Sequence, residues 1–232
     1  MKIARLTNGQ PEIFYSVQGE GRFTGRPSVF VRSSLCNLSC EWCDTPYTWD
    51  WERYDRSTEI LDLSPEEVAR LAKKWDCSNY VFTGGDPLIQ HKQWAEVIDH
   101  IGDSHIEIET NGTLLPPAGF IAKVDQFNVS PKLAHSGVAA EKREQIDVLS
   151  ALAKTGKADF KFVIADESDL EEVLDLQARA HLPSEHIFLM PKGTTVNEID
   201  RSLKFLTQIA LDQGFHLSDR LHVRLFGDSR GT

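Results

Sequence analysis

No apolar run in this chain of 232 residues approaches the length of a membrane span. The start, Met1 to Tyr15, has no apolar stretch behind its basic residues, so no secretory leader is expected there. Positive charge is also short: 25 Lys and Arg face 35 Asp and Glu, a net charge of −10. That balance disfavours nonspecific binding to nucleic acid or anionic membrane, leaving room only for local basic clefts. Internal repeats, low-complexity tracts and Gly/Ser linkers are missing, so one domain over residues 1–232 is expected. What is present, 41% apolar and 26% charged residues, is the balance of a soluble globular protein with a real core.

Cysteine is scarce, and its placement says most. Of four cysteines, Cys36, Cys40 and Cys43 fall in one short stretch and Cys77 stands alone. A disulfide framework would spread them along the chain. A tight triplet predicts metal or redox chemistry in a reducing, cytoplasmic setting. The spacing C-x3-C-x2-C lets three thiolates converge from one loop. A structural zinc needs four closed ligands, usually as two pairs. Cys77 lies just before a predicted strand, at the end away from the loop, where a lone Cys packs as a small hydrophobe. An iron–sulfur cubane held by three Cys leaves one iron open to a nonprotein ligand. The spacing favours the cluster and leaves a zinc-stabilised binding module open. The eight histidines show no metal-ligand spacing.

Strand and helix patterns alternate along the rest. Ser28–Ser33 reads as a strand running into the cysteine loop, and Tyr47–Arg56 as irregular and aromatic. Ser64-Pro65-Glu66-Glu67 opens a helix with Val68, Leu71, Ala72 and Trp75 on one face. Strands follow at Tyr80–Thr83, His105–Thr110, Gln126–Ser130, Phe160–Ile164, Ile187–Met190 and Leu221–Phe226. Helices are predicted around Trp94–Ile101, over Val138–Lys154, from Ser168 to Ala180, and over Asn197–Gln213 with Gly214 as the stop. The pattern predicts an α/β fold with a mostly parallel sheet, an open or partial barrel with too few units for an eight-fold one. Chemistry then belongs at the carboxyl ends of the strands. The cysteine loop, Gly84-Gly85-Asp86-Pro87, Thr110-Asn111-Gly112, Ser130-Pro131-Lys132 and Met190-Pro191-Lys192 all fall there.

The segment Cys36-Asn-Leu-Ser-Cys40-Glu-Trp-Cys43 resembles the signature of radical S-adenosylmethionine (SAM) enzymes. In that family a 4Fe–4S cluster binds SAM at its open iron and cleaves it to a radical that takes hydrogen from the substrate. Thr83-Gly84-Gly85-Asp86-Pro87 is similar to the family's GGEP motif, with Asp86 where Glu is usual. The N-terminal run narrows the resemblance. Phe14 to Gly21 (FYSVQGEG), Phe23-Thr24-Gly25, Pro27, Phe30-Val31-Arg32 and Trp42-Cys43-Asp44-Thr45 together look like the 7-carboxy-7-deazaguanine synthase family. The match runs from about Glu12 to Lys132, with the N-terminal segment and cluster loop at 14–56.

The resemblance implies a lyase that turns 6-carboxy-5,6,7,8-tetrahydropterin into 7-carboxy-7-deazaguanine with loss of ammonia, on the path to queuosine-type 7-deazapurines. It implies SAM, a cluster and Mg²⁺ as cofactors, a flavodoxin-like electron donor and a homodimer, with no direct nucleic acid and no membrane. Cys36, Cys40 and Cys43 then hold the cluster, and Thr45 the Mg²⁺. Trp42, Cys43, Asp44, Gly85, Glu109, Ser130, Pro131 and Lys132 take SAM. Val17, Gln18, Gly19, Arg32, Thr83 and the tail residue Thr232 meet the substrate. The amide and backbone groups of Val17, Gln18 and Gly19 are expected to read the pterin edge. Arg32 is expected to pair with the substrate carboxylate through its planar fork, the alternative being a salt bridge at the strand edge. A radical SAM enzyme that activates a glycyl-radical protein is the competing enzymatic reading, against which the N-terminal motif argues.

Overall fold

The computed structural model describes residues 1–227 and 229–232. The strands are β1 (Lys2–Ala4), β2 (Ile13–Val17), β3 (Pro27–Ser33), β4 (Ile60–Asp62), β5 (Asn79–Gly84), β6 (His105–Thr110), β7 (Gln126–Val129), β8 (Ala158–Ile164), β9 (Ile187–Pro191) and β10 (His216–Leu217). The helices are α1 (Arg56–Glu59), α2 (Pro65–Ala72), α3 (His91–Ile101), α4 (Ala118–Ile121), α5 (Ala140–Arg143), α6 (Ile146–Ala153), α7 (Asp169–Ala180), α8 (Val196–Gln213) and α9 (Leu221–Phe226). All strands join one ten-stranded sheet in the order β10-β9-β8-β7-β6-β5-β3-β1-β4, with β2 paired to β3. From β3 through β10 the neighbours run parallel, whereas β1, β2 and β4 add antiparallel pairs. Among the described residues the sheet does not close, which is the expected open barrel of mixed α/β type. No described helix is long and apolar enough to cross a membrane.

The strand period of two explains where the core and the site lie. Val29 and Val31, Tyr80 and Phe82, Ile106 and Ile108, Phe127 and Val129, Phe160 and Phe162 all join the main core, packed with the helices. Trp94 of α3 stacks on Phe82 with centroids 4.2 Å apart. The intervening residues include Arg32, Thr83, Glu109 and Lys161, which line a cavity on the opposite face. An apolar outer face under helices therefore leaves an inner one that carries these charged and polar side chains. Deep in that face Glu107 is fully buried and accepts from Gln18, Asn79 and Asn128 at 3.0–3.2 Å. Three amide donors are what such a carboxylate needs to be tolerated there.

Helix α2 begins as expected. Ser64 accepts from the Glu67 amide and the Glu67 side chain returns to the Ser64 amide, a full capping box. Gly214 ends α8 with φ of 68°. Two expectations need correction. The single helix over 138–154 is two, broken at Glu144 and Gln145, where ψ is 85° and 74°. Arg143 turns inward there, donating to the Val138 and Lys132 carbonyls and pairing with Glu172. Ser168 opens α7 at its N-cap position as expected, although its own amide bonds Asp166 and Asp169 accepts from the Ala165 amide. Leu221–Phe226 is helix α9, not the last strand. The sheet edge is already taken by β10, and Leu221 donates to the Gly19 carbonyl at 2.9 Å, so the segment folds back over the cavity.

Candidate active site

The cysteine loop leaves β3 and crosses the end of β5. Asp86 N–H donates to the Leu35 carbonyl at 2.8 Å, and Gly85 N–H to Ser33 at 3.1 Å. The approach is too close for side chains: a Cβ on Gly85 would lie 2.1 Å from the Leu35 oxygen, and one on Gly84 1.9 Å from the Ser33 oxygen. Gly84 also has φ of 127°. The glycine pair read as a cofactor contact thus first serves to seat the cysteine loop. Gly85→Ala is expected to destabilise the protein by about 1–3 kcal/mol, as overpacking does, and to lower iron loading. Denaturant unfolding and iron analysis check it.

Asp86 is fully buried and accepts from Thr110 Oγ1, the Asn111 amide and the Leu88 amide at 2.8–2.9 Å. The shorter acid therefore ties the ends of β5 and β6 together. Burial raises its carboxyl, and these donors oppose the rise. Asn111 reaches Asn37 at 2.9 Å, and Asn37 reaches Thr113 at 2.7 Å, bracing the loop from the next strand.

The three thiols are free and line one cavity of about 1080 Å³. Burial pushes the Cys36 thiol up to about 12; it raises Cys40 too, against the opposing Lys132 cation. Donors reach the sulfurs: the Leu38 amide to Cys36 at 3.5 Å and the Trp49 indole to Cys43 at 3.3 Å. Cys77 lies elsewhere, packed against the core with Sγ on the Pro27 and Asn79 carbonyls. Among the described residues no three His, Cys, Asp or Glu close on a single ion. The four-ligand zinc alternative therefore lacks its donor set. Three spaced thiols over a cavity fit a larger cluster.

Every residue expected to hold the cluster, Mg²⁺, SAM or substrate lines this cavity except Pro131, which is buried. Trp42 stacks on His135 and donates to its carbonyl at 3.1 Å, while Lys132 and Lys192 lie 5.4 and 5.7 Å from its ring centre. Lys132 also bonds Ser130 Oγ at 2.8 Å. Thr45 is buried, its hydroxyl 3.7 Å from Cys43 Sγ. Thr232 reaches the wall from the tail. Gln18 departs from expectation: it is 2% exposed and its amide is spent on Glu107 and Glu109. It shapes the floor and does not offer that amide to a ligand.

A charged cluster on the opposite wall is invisible to motif reading. Lys161 of β8 is buried between Glu20 and Glu109, and Arg220 joins Glu20 at 3.2 Å and Asp44 at 3.0 Å. His222 of α9 covers Gly19, where a Cβ would meet its ring at 2.1 Å. Burial alone would raise Glu20, but Lys161, Arg220 and His222 together hold it well below the usual range. Burial raises Glu109, with Lys161 opposing and Glu20 and Glu107 adding to the rise. Burial would lower Lys161, yet its two carboxylates hold it well above the ordinary lysine range. The alternation in β8 (Phe160, Lys161, Phe162) was the available signal, since it turns a lysine away from a phenylalanine face.

Known proteins resemble this chain. The model of the radical SAM superfamily matches residues 30–206. The 7-carboxy-7-deazaguanine synthase of Halobacterium salinarum is 34% identical, covering 95% of this chain and 91% of its own. That of Pyrobaculum aerophilum is 34% identical, covering 95% of each. The crystal structure of QueE from Escherichia coli superposes with a TM-score of 0.70 at 24% identity, over 96% of this chain and 95% of that one, a likeness of fold. On its matched family model and these relatives, the chain belongs to the radical SAM superfamily and, within it, to the 7-carboxy-7-deazaguanine synthase family.

Proposed function

We propose that this chain converts 6-carboxy-5,6,7,8-tetrahydropterin to 7-carboxy-7-deazaguanine with loss of ammonia, in 7-deazapurine biosynthesis. One observation carries the reading: the three-thiol loop, Val17–Gly19, Arg32 and Thr83 meet around a single cavity. When bound, a 4Fe–4S cluster and SAM supply the hydrogen-atom abstraction that starts the reaction. Cys36, Cys40 and Cys43 would hold the cluster. Trp42, Asp44, Gly85, Glu109, Ser130 and Lys132 would line the SAM side, with Pro131 setting the turn between the last two. The relatives that match at full length carry the synthase name, which favours this reading over a glycyl-radical activating enzyme.

The chain's own residues bind and orient. Arg32 lies on the cavity wall with Nε committed to Glu12 at 2.7 Å. Arg32 is thus salt-bridged, and its two terminal nitrogens have no protein hydrogen bond among the described residues. Those nitrogens suit the substrate carboxylate. Thr45 offers one buried hydroxyl to Mg²⁺, and Mg²⁺ completes its shell with water and substrate oxygens. A flavodoxin-like electron donor, a homodimer, a cytoplasmic setting and one domain over 1–232 complete the proposal. Arg32→Lys keeps the charge and loses the fork, so the KM for the pterin acid should rise about tenfold or more. Steady-state kinetics of reconstituted enzyme test this, and an unchanged KM would remove Arg32 from the substrate site.

A further inference from the structure

Glu12 sits just before β2, where no motif draws attention to it. Its carboxylate is completely buried. One oxygen accepts from Arg32 Nε at 2.7 Å, and both accept from the Tyr47 hydroxyl at 3.1 Å. The other oxygen accepts from Arg230 Nε at 3.2 Å, across 218 positions of sequence. Arg230 does more at the same place. Its guanidinium carbon lies 3.5 Å from the Tyr47 ring centre, and it donates to Glu59 at 3.0 Å and to the Arg5 carbonyl. Beside it, Gly231 rests against Leu6, where a Cβ would come within 2.9 Å of a methyl carbon. Two residues beyond Arg230, Thr232 lines the cavity.

One buried carboxylate thus joins two guanidinium groups with different jobs. Arg32 lies in the cavity wall. Arg230 anchors the segment that carries Thr232. An ionised carboxylate taken fully out of water is tolerable only when it is paired and hydrogen-bonded, and here its donors come from β3, the aromatic loop and the tail. Neither arginine is replaceable by lysine without loss, because each uses its Nε and, for Arg230, its planar face. The tail is therefore built into the cavity wall by charge, stacking and a close glycine contact.

We propose that Glu12 and Arg230 form a latch that fastens residues 229–232 against the substrate end of the cavity, with Glu12 a positioning residue acting through Arg32 and Arg230. The latch itself stands on geometry; its effect on substrate rests on the reading of Arg32 and Thr232 as substrate contacts.

Arg230→Ala tests it in reconstituted holoenzyme, because Arg230 lies outside the cluster loop and the core. The readouts are amide hydrogen exchange of the tail, iron content, and KM against kcat for 6-carboxytetrahydropterin. Loss of charge-assisted bonds should speed exchange at 229–232 and raise KM, each at least about tenfold, with iron content unchanged and kcat within about twofold. Glu12→Gln, which keeps the shape and removes the charge, should give the same tail exchange and a larger rise in KM. Unchanged exchange in Arg230→Ala would overturn the latch. Faster exchange with unchanged KM would confirm the latch and overturn the substrate role given to Thr232.

Discussion

Replacing any one of Cys36, Cys40 and Cys43 by alanine is expected to abolish product formation and to strip most iron and sulfide from reconstituted protein. Two thiolates cannot hold a cubane whose fourth iron is already without protein ligand, and no neighbouring side chain stands ready to substitute. Among the described residues no His, Asp or Glu trio supplies another site, and Cys77 is occupied at the far end of β5. The loss should exceed about a thousandfold in rate, since removal of the radical source leaves no slower route of the same kind. Cys77→Ala is the matched control. It removes a half-buried sulfur from the edge of the core and should keep iron content and rate within about twofold, as a small change in packing does. Iron loss in Cys77→Ala would break the division of the four cysteines into three and one.

The second large effect is on stability. Lys161→Met should cost about 3–5 kcal/mol, the usual result of removing one partner from a buried ion pair. The Lys161 side chain is 4% exposed, and it separates two carboxylates that are themselves mostly buried. Without it Glu20 keeps Arg220, but Glu109 is left with the Gln18 amide at 3.3 Å and the nearby Glu107. Thermal unfolding should show a drop of about 6–20 °C for a chain of this size.

The pH dependence gives the sign. The folded state holds Glu20 below its ordinary value of 4.5, so its contribution is present above that pH and is lost as pH falls below it. The variant removes the cation that holds Glu20 low and opposes the rise of Glu109. Its deficit against the parent should therefore be largest where both acids are ionised and shrink as pH falls, first above 4.5 as the raised Glu109 takes up its proton and then further down with Glu20. A deficit under about 1 kcal/mol, or one that grows in acid, would show that Lys161 does not compensate these carboxylates.

What was legible in the sequence was local. The triplet, the glycine pair and the strand ends that follow β3, β5 and β6 announce themselves within a few residues, and parallel topology then brings them to one rim. The capping box at Ser64 and the stop at Gly214 are local in the same way. The charged wall is not. Lys161 meets Glu20 across 141 positions, and Glu12 meets Arg230 across 218, so no spacing rule connects them. Glu107 and Gln18 illustrate the same limit, since an exchange of hydrogen bonds across 89 positions turned an expected ligand-reading amide into a support for a buried acid.

The C-terminal segment shows how a true pattern misleads. Leu221, Val223 and Leu225 alternate with polar or aromatic neighbours, which is strand-like. Of these only Val223 is buried in the helix that forms, and Leu225 is 55% exposed. Backbone contact with Gly19 and the charges around Arg220 and Arg224 decide its conformation instead. Tertiary contacts outweighed a weak local period, and they did so where the chain returns to cover the site.

The most direct measurement is an anaerobic assay of the reconstituted protein with reductant, SAM, Mg²⁺ and 6-carboxy-5,6,7,8-tetrahydropterin. The expected result is 7-carboxy-7-deazaguanine with one ammonia for each product. An intact cluster with no such product would contradict it.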